Sequence, residues 1–141
     1  MPLNQQAASE TAPTPRQTVY VVEDHSTLRR LIIEFINNIA GLEVIGDAAT
    51  AEDALTDTRQ SDADIVMTDL SLPGMSGVDL TRHLCVENEG RIVIVLSAHN
   101  DNYTVRKAFH AGASAYVTKE NPELIEAVVK QVLTGEKGII A

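Results

Sequence analysis

Five times along this chain a short β-favouring or apolar run gives way to apolar residues at helical spacing. That alternation restricts the fold more than any other feature. Thr18–Val22 reads as the first strand. Leu28, Leu31, Ile32, Phe35, Ile36 and Ile39 then recur as one face of a helix expected to end at Gly41. Leu42–Gly46 is a second strand, and Thr50 with Asp53 opens a second helix carrying Ala51, Ala54 and Leu55 inward. Ala63–Thr68, a loop over Ser71–Gly77 punctuated by Pro73 and Gly74, and a helix from about Val78 to Val86 form the third unit. Ile92–Leu96 is an unbroken apolar run, as a strand covered on both faces requires. A helix with Val105, Ala108 and Phe109 follows and stops at Gly112. Ala113–Val117 is the fifth strand. Asn121 is expected to cap a last helix that has Pro122 at its first position and Leu124, Val128 and Val132 inward.

Strands alternating with helices predict an α/β domain, (βα)5 and doubly wound: a flavodoxin-like five-stranded parallel sheet with helices on both faces. Its length of 141 residues suits one such domain plus a tail. Residues 1–17, rich in Gln, Ala, Ser, Thr and Pro, are expected to be a disordered N-terminal tail before a domain over 18–138. They contain no apolar core of a signal peptide, and no apolar run approaches the roughly 20 residues of a membrane span. A single cysteine, Cys85, excludes an internal disulfide and suits a reducing cytoplasm. Eleven Lys and Arg against 20 Asp and Glu give a net charge of −9, which argues against direct nucleic-acid binding by this domain.

Ligands of doubly wound sheets sit at the carboxyl ends of the strands. There the first strand ends in Glu23 and Asp24, the third in Asp69, the fourth in Ser97, and the fifth just before Thr118 and Lys119. Three crowded carboxylates repel, and a hard cation such as Mg²⁺ relieves the repulsion through oxygen ligands and retained waters. Lys119 adds a compact positive charge suited to a phosphoryl oxygen, and Ser97 can donate to another. Asp69 can serve as a nucleophile that forms an aspartyl phosphate, with Ser71 two residues on offering a backbone carbonyl to the metal.

The segments Val19–His25, Thr68–Gly77, Val95–Ala98 and Gly112–Lys119 together resemble the receiver domains of bacterial two-component response regulators. The resemblance covers about Thr18 to Gly138 and keeps order and spacing. It implies Asp69 as phosphoacceptor, Asp24 as direct Mg²⁺ ligand, and Glu23 as holder of the metal's waters. It implies Ser97 as the switch hydroxyl, Tyr116 as the switch aromatic and Lys119 as the phosphoryl contact. The phosphodonor would be a sensor histidine kinase or a histidine phosphotransfer protein. The readout would pass through the fourth helix, fifth strand and fifth helix to an effector, another protein or a second receiver in a phosphorylation-dependent homodimer. Such a domain is a switch rather than a turnover enzyme, and a cytoplasmic one.

Two departures qualify the resemblance. Many receivers place proline directly after the lysine, often with a cis bond, whereas Glu120 and Asn121 intervene here before Pro122, so no cis bond is predicted. Asp24-His25 and Lys119–Leu124 resemble the branch whose receivers carry a C-terminal LuxR-type helix-turn-helix. No such domain follows in this chain, which is expected to be either a lone receiver or a fragment.

Plainer roles compete at several positions. Ser97 also suits a cap for the helix near Asp101, and Tyr116 suits packing on an edge strand. His25 suits loop packing or helix capping better than Mg²⁺, which favours oxygen over imidazole. The resemblance implies that the side chains at His99 and Ser71 tune the lifetime of a phosphoryl group; His83 and His110 read as helix-surface residues, and Cys85 as a small buried hydrophobe. A phosphohydrolase working through an aspartyl phosphate would want a second acid two residues after Asp69, where Ser71 stands. A flavin or nucleotide module would want a glycine loop after the first strand, where Glu23-Asp24-His25-Ser26 stands.

Overall fold

A computed structural model describes residues 16–141. The expected tail falls outside the described residues except at its end, where Gln17 already belongs to the first strand. The strands are β1 (Gln17–Val22), β2 (Leu42–Ala48), β3 (Ile65–Thr68), β4 (Ile92–Ser97), β5 (Ala115–Thr118) and β6 (Ile139–Ile140). They lie in the order β2-β1-β3-β4-β5-β6, and each neighbouring pair is parallel. The doubly wound arrangement is therefore present, with a sixth strand at the β5 edge. Residues 139–140 are too short a run for periodicity to reveal; β5 supplies their partners, Ala115 and Tyr116.

Burial follows the two-residue period of the strands. Val19, Val21, Ile65, Met67, Ile94, Leu96 and Val117 point to one face, with Ile32 and Ile36 of α1 (Ser26–Asn37) and Ile125, Val128 and Val132 of α6 (Ile125–Leu133). Tyr20, Val22, Val66 and Val93 point to the other. There they meet α2 (Ala51–Thr56) and Leu80 and Leu84 of α4 (Gly77–Glu87). Val95 and Tyr116 pack on that face with Val105 and Ala108 of α5 (Asn102–Ala111). Because both faces are covered, Val19–Val22, all of β3 and Val93–Ser97 are buried at every residue.

Side-chain caps start most of the helices. His25 Nδ1 accepts from the Leu28 amide at 3.2 Å, Thr50 Oγ1 from Asp53 at 3.1 Å, Ser76 Oγ from Asp79 at 3.1 Å and Asp101 Oδ2 from Thr104 at 3.0 Å. His25 is thus a cap, and the cap of α5 is Asp101, not Ser97. Gly112 closes α5 at φ +116, where a Cβ would also lie 2.7 Å from Cys85 Sγ.

The second helix is interrupted. Asp57, with φ −88 and ψ 118, ends α2 and caps α3 (Thr58–Asp62). Its carboxylate accepts from the buried Tyr20 hydroxyl at 2.8 Å and from Arg59 Nη2 at 2.7 Å. A buried phenol must find a partner, and this one is found 37 residues away.

Several boundary and burial expectations change. α1 ends at Asn37, and Gly41, at φ +89, turns the chain into β2. β5 begins at Ala115, two residues later than expected. Asn121 makes no capping bond to the helix; Pro122 opens a 3-10 turn, Pro122–Leu124, before α6. Leu124 is left exposed, and Ile125 takes the inward position. Leu31 is 56% and Phe35 37% exposed, because the 3-10 turn stands beside α1 there without covering it.

Candidate functional site

The carboxyl ends of β1, β3, β4 and β5 meet in one place because the sheet is parallel and crosses over between β1 and β3. Carboxylate oxygens of Glu23, Asp24 and Asp69 all lie within 4.8 Å of one another. Glu23 and Asp69 are buried, and Asp24 is exposed. Lys119 reaches in from the end of β5 with Nζ 2.8 Å from Asp69 Oδ2 and 2.8 Å from Glu23 Oε1. Its side chain is 19% exposed. Burial pulls the Lys119 ammonium down, but the bonds to Asp69 and Glu23 outweigh it and leave the pKa above its ordinary value.

Asp69 is held on both oxygens. Oδ1 accepts the amides of Leu70 at 2.7 Å and Ser71 at 3.3 Å, while Oδ2 takes Lys119. Ser71 therefore joins the site through its amide. The backbone after Asp69 folds back on itself: the Gly77 amide donates to the Leu70 carbonyl at 2.9 Å. A Cβ on Gly77 would sit 1.9 Å from the Asp69 carbonyl oxygen, so only glycine fits against the loop there. Glu52, at the start of α2, accepts the Met75 amide at 2.9 Å and ties the same loop to the neighbouring helix.

Ser97 is fully buried and makes no bond to Asp69; its Oγ accepts the His99 amide at 3.2 Å. Tyr116 is fully buried too, and its hydroxyl donates to the His99 carbonyl. Burial pushes that phenol above its ordinary pKa. The peptide groups of His99 thus receive both side chains, one from β4 and one from β5. The Lys119 amide donates to the Ser97 carbonyl at 2.8 Å, which couples the ends of the two strands. His99 and Ser71 line one cleft beside Asp69, together with Ser76, Thr104 and Lys107. His83 and His110 are on helix surfaces, as expected, and Cys85 is half-buried with Sγ 3.4 Å from the Gly112 carbonyl.

The family model for the response regulator receiver domain matches residues 19–130. The chain belongs to that family. Response regulator UvrY of Escherichia coli strain K12 is 31% identical over 122 residues. That alignment covers 86% of this chain and 56% of the relative. Response regulator GacA of Pseudomonas aeruginosa is 34% identical over 124 residues, covering 86% and 57%. The receiver domain described here thus spans a little over half the length of those relatives. Among solved structures, a LuxR-family two-component response regulator from Aurantimonas sp. SI85-9A1 superposes with a TM-score of 0.82 at 31% identity, covering 89% of each chain. The signal receiver domain of the putative response regulator NarL from Mycobacterium tuberculosis shares the fold, with a TM-score of 0.79 at 22% identity over 87% of this chain and all of that one. As a receiver domain the chain is a signalling module rather than a classical enzyme. No helix among the described residues is long and apolar enough to cross a membrane.

Three features of this receiver site were not marked in the sequence: Gly77 against the Asp69 carbonyl, Glu52 on the Met75 amide, and Tyr116 and Ser97 both on His99. Gly77 carried a usable signal, since a glycine eight residues after an acid at a strand end permits the loop to close tightly. Glu52 carried none beyond its place in the first turn of a helix.

Proposed function

We propose that this receiver domain takes a phosphoryl group on Asp69 from the phosphohistidine of a sensor kinase or phosphotransfer protein. The observation that carries this is Lys119 Nζ placed 2.8 Å from both Asp69 and Glu23, beside a third carboxylate, Asp24. An Asp69 carboxylate oxygen would form the new bond to phosphorus as the donor's phosphorus–nitrogen bond breaks, and the departing imidazole would take its proton from solvent, since the attacking carboxylate has none to give. Lys119 then moves from the carboxylate to a phosphoryl oxygen without leaving the site.

The residues fit Mg²⁺. The donor set is oxygen alone, and Glu23 Oε1 is buried with an ion-pair contact to Lys119 but no hydrogen bond of good geometry. Asp24, Asp69 and the Ser71 carbonyl would hold the ion, and Glu23 its waters. When bound, the ion supplies positive charge that stabilises the transferring phosphoryl group.

Ser97 and Tyr116 would report the event. A phosphoryl oxygen that draws the Ser97 hydroxyl away from the His99 amide loosens one of the two ties on that loop. Tyr116 holds the other, so the loop before α5 is the two-state element. The readout face would be α5, β5 and α6, facing an effector, another protein or a second receiver. An output through a LuxR-type DNA-binding domain is supported by the similarity to a LuxR-family regulator. A stand-alone receiver acting by protein contact is the alternative. A role for Ser71 and His99 in phosphoryl lifetime is supported by the cleft they both line next to the Asp69 loop, so His99→Ala should change the rate of phosphate loss.

The exposed side chains on α1 support a docking role for the phosphodonor. Leu28, Leu31, Phe35 and Pro122 line a groove of about 350 Å³ that reaches Lys119. Such an apolar patch rimming a reacting group suits a transient protein partner.

The test is intact-protein mass after acetyl phosphate, with and without Mg²⁺, on wild type and Asp69→Asn. One phosphoryl group that needs both Mg²⁺ and Asp69 is expected. Labelling that persists in Asp69→Asn would falsify the assignment. Where no adduct accumulates, beryllofluoride binding detected by fluorine NMR replaces it, and a protein that ignores both is not under phosphate control.

A further inference from the structure

The loop between β1 and α1 that carries Glu23 and Asp24 is held by a side chain outside the carboxylate cluster. Arg29, in the first turn or so of α1, bends back across the loop. Its Nη1 donates to the carbonyl oxygen of Glu23 at 2.8 Å, and its Nε donates to Asp47 Oδ2 at 2.9 Å. Asp47 sits near the end of β2, the strand beside β1. Arg29 is largely buried, with 21% of its side chain exposed. Among the described residues Asp47 is its ion-pair partner.

A trans peptide is planar, so fixing the Glu23 carbonyl also fixes the amide and Cα of Asp24. Asp24 is exposed, and an exposed side chain takes its aim from its backbone. The guanidinium has a second effect of opposite sign. A positive charge next to the acidic loop would compete with a divalent cation, and Asp47 neutralises it.

We propose that Arg29 is a positioning residue for the cation site: it sets the Glu23–Asp24 peptide so that Asp24 faces the ion, and Asp47 holds Arg29 in place while cancelling its charge. The inference rests on the reading of Glu23, Asp24 and Asp69 as the Mg²⁺ site. Positioning and charge predict opposite outcomes. If Arg29 acted through its charge alone, removing it would tighten cation binding. If it positions Asp24, removing it weakens binding, by about 10-fold or more as for other outer-shell partners.

The experiment is titration of the unphosphorylated protein with Mn²⁺, followed by EPR of the free ion and by competition with Mg²⁺ at fixed ionic strength. Wild type, Arg29→Ala, Arg29→Gln, Asp47→Asn and Asp24→Asn are compared, each checked for folding by circular dichroism. Arg29→Ala should bind about 10-fold more weakly. Arg29→Gln keeps a donor for the Glu23 carbonyl without the charge, and should recover part of the loss. Asp47→Asn should also weaken binding. Arg29→Ala that is folded and binds as tightly as wild type, or more tightly, overturns the proposal. If Arg29→Ala does not fold, unchanged affinity in both Arg29→Gln and Asp47→Asn overturns it. A wild type that binds no cation, or an Asp24→Asn that binds like wild type, sinks the metal site itself and this inference with it.

Discussion

Replacing Gly77 by alanine should damage both the stability and the chemistry of this domain. Gly77 is the first residue of α4, and in an exposed helix the change from glycine to alanine would stabilise by up to about 1 kcal/mol. Here the added Cβ meets backbone: 1.9 Å from the Asp69 carbonyl oxygen, 2.7 Å from Leu70 Cα and 2.8 Å from the Asp69 carbonyl carbon. None of these atoms can rotate away. Relief needs the loop or the helix to retreat by about 1 Å. Forced overpacking of that kind costs about 1–3 kcal/mol, which more than cancels the helix gain. The strained segment also carries the Asp69 carboxylate, and misplacing a reacting group by about 1 Å can cost about 100-fold in rate. Urea unfolding should therefore show Gly77→Ala less stable than wild type, and acetyl phosphate labelling should slow by one to two orders of magnitude. Gly90→Ala is the control, since its Cβ would meet only Asn88 Oδ1 at 3.5 Å. A Gly77→Ala protein as stable as wild type, and labelled as fast, would refute the close-approach argument.

Other outcomes follow from the same geometry. Lys119→Ala leaves Glu23 and Asp69 facing each other without the cation between them, and should cost about 3 kcal/mol. Mg²⁺ should restore much of that loss, so a Tm that does not respond to Mg²⁺ would count against the shared site. Bonds from Arg59 first, and then from Tyr20, hold the Asp57 carboxyl well below the usual carboxylate range. A depressed pKa contributes stability above the unfolded value near about 4, and that stability is lost as pH falls through the lower folded value. Acid unfolding of Asp57→Asn should accordingly be less steep than that of wild type over this range; identical acid limbs would exclude the contribution. Ile36→Ala, at a fully buried position, should cost about 3 kcal/mol, whereas Leu31→Ser should stay within about 0.5 kcal/mol because Leu31 is 56% exposed. If the groove receives the phosphodonor, Leu31→Ser should slow phosphotransfer from the kinase and leave labelling by acetyl phosphate unchanged.

What the amino-acid sequence determined by itself was the strand-and-helix alternation and the order of polar groups at the strand ends. Both are local matters: a run such as Ile92–Leu96 has nowhere to go but a covered strand, and a parallel sheet brings Glu23, Asp24, Asp69, Ser97 and Lys119 to the same edge whatever the details of packing. Caps at Thr50 and the stop at Gly112 were legible for the same reason, since their bonds lie within a few residues. Tertiary structure decided whatever depends on a partner distant in the chain. The second helix breaks at Asp57, which caps the next helix and whose carboxylate also accepts from Tyr20 in β1, 37 residues away. Two residues become β6 because β5 offers an open edge. Leu31 and Phe35 share a stripe with Ile32 and Ile36, yet helical spacing names only the residues that can be buried; how far the stripe is covered depends on where the Pro122 turn comes to rest beside α1. The closeness of Gly77 to Asp69 and the hold of Arg29 on Glu23 arise the same way, from backbone that approaches only after the sheet has formed.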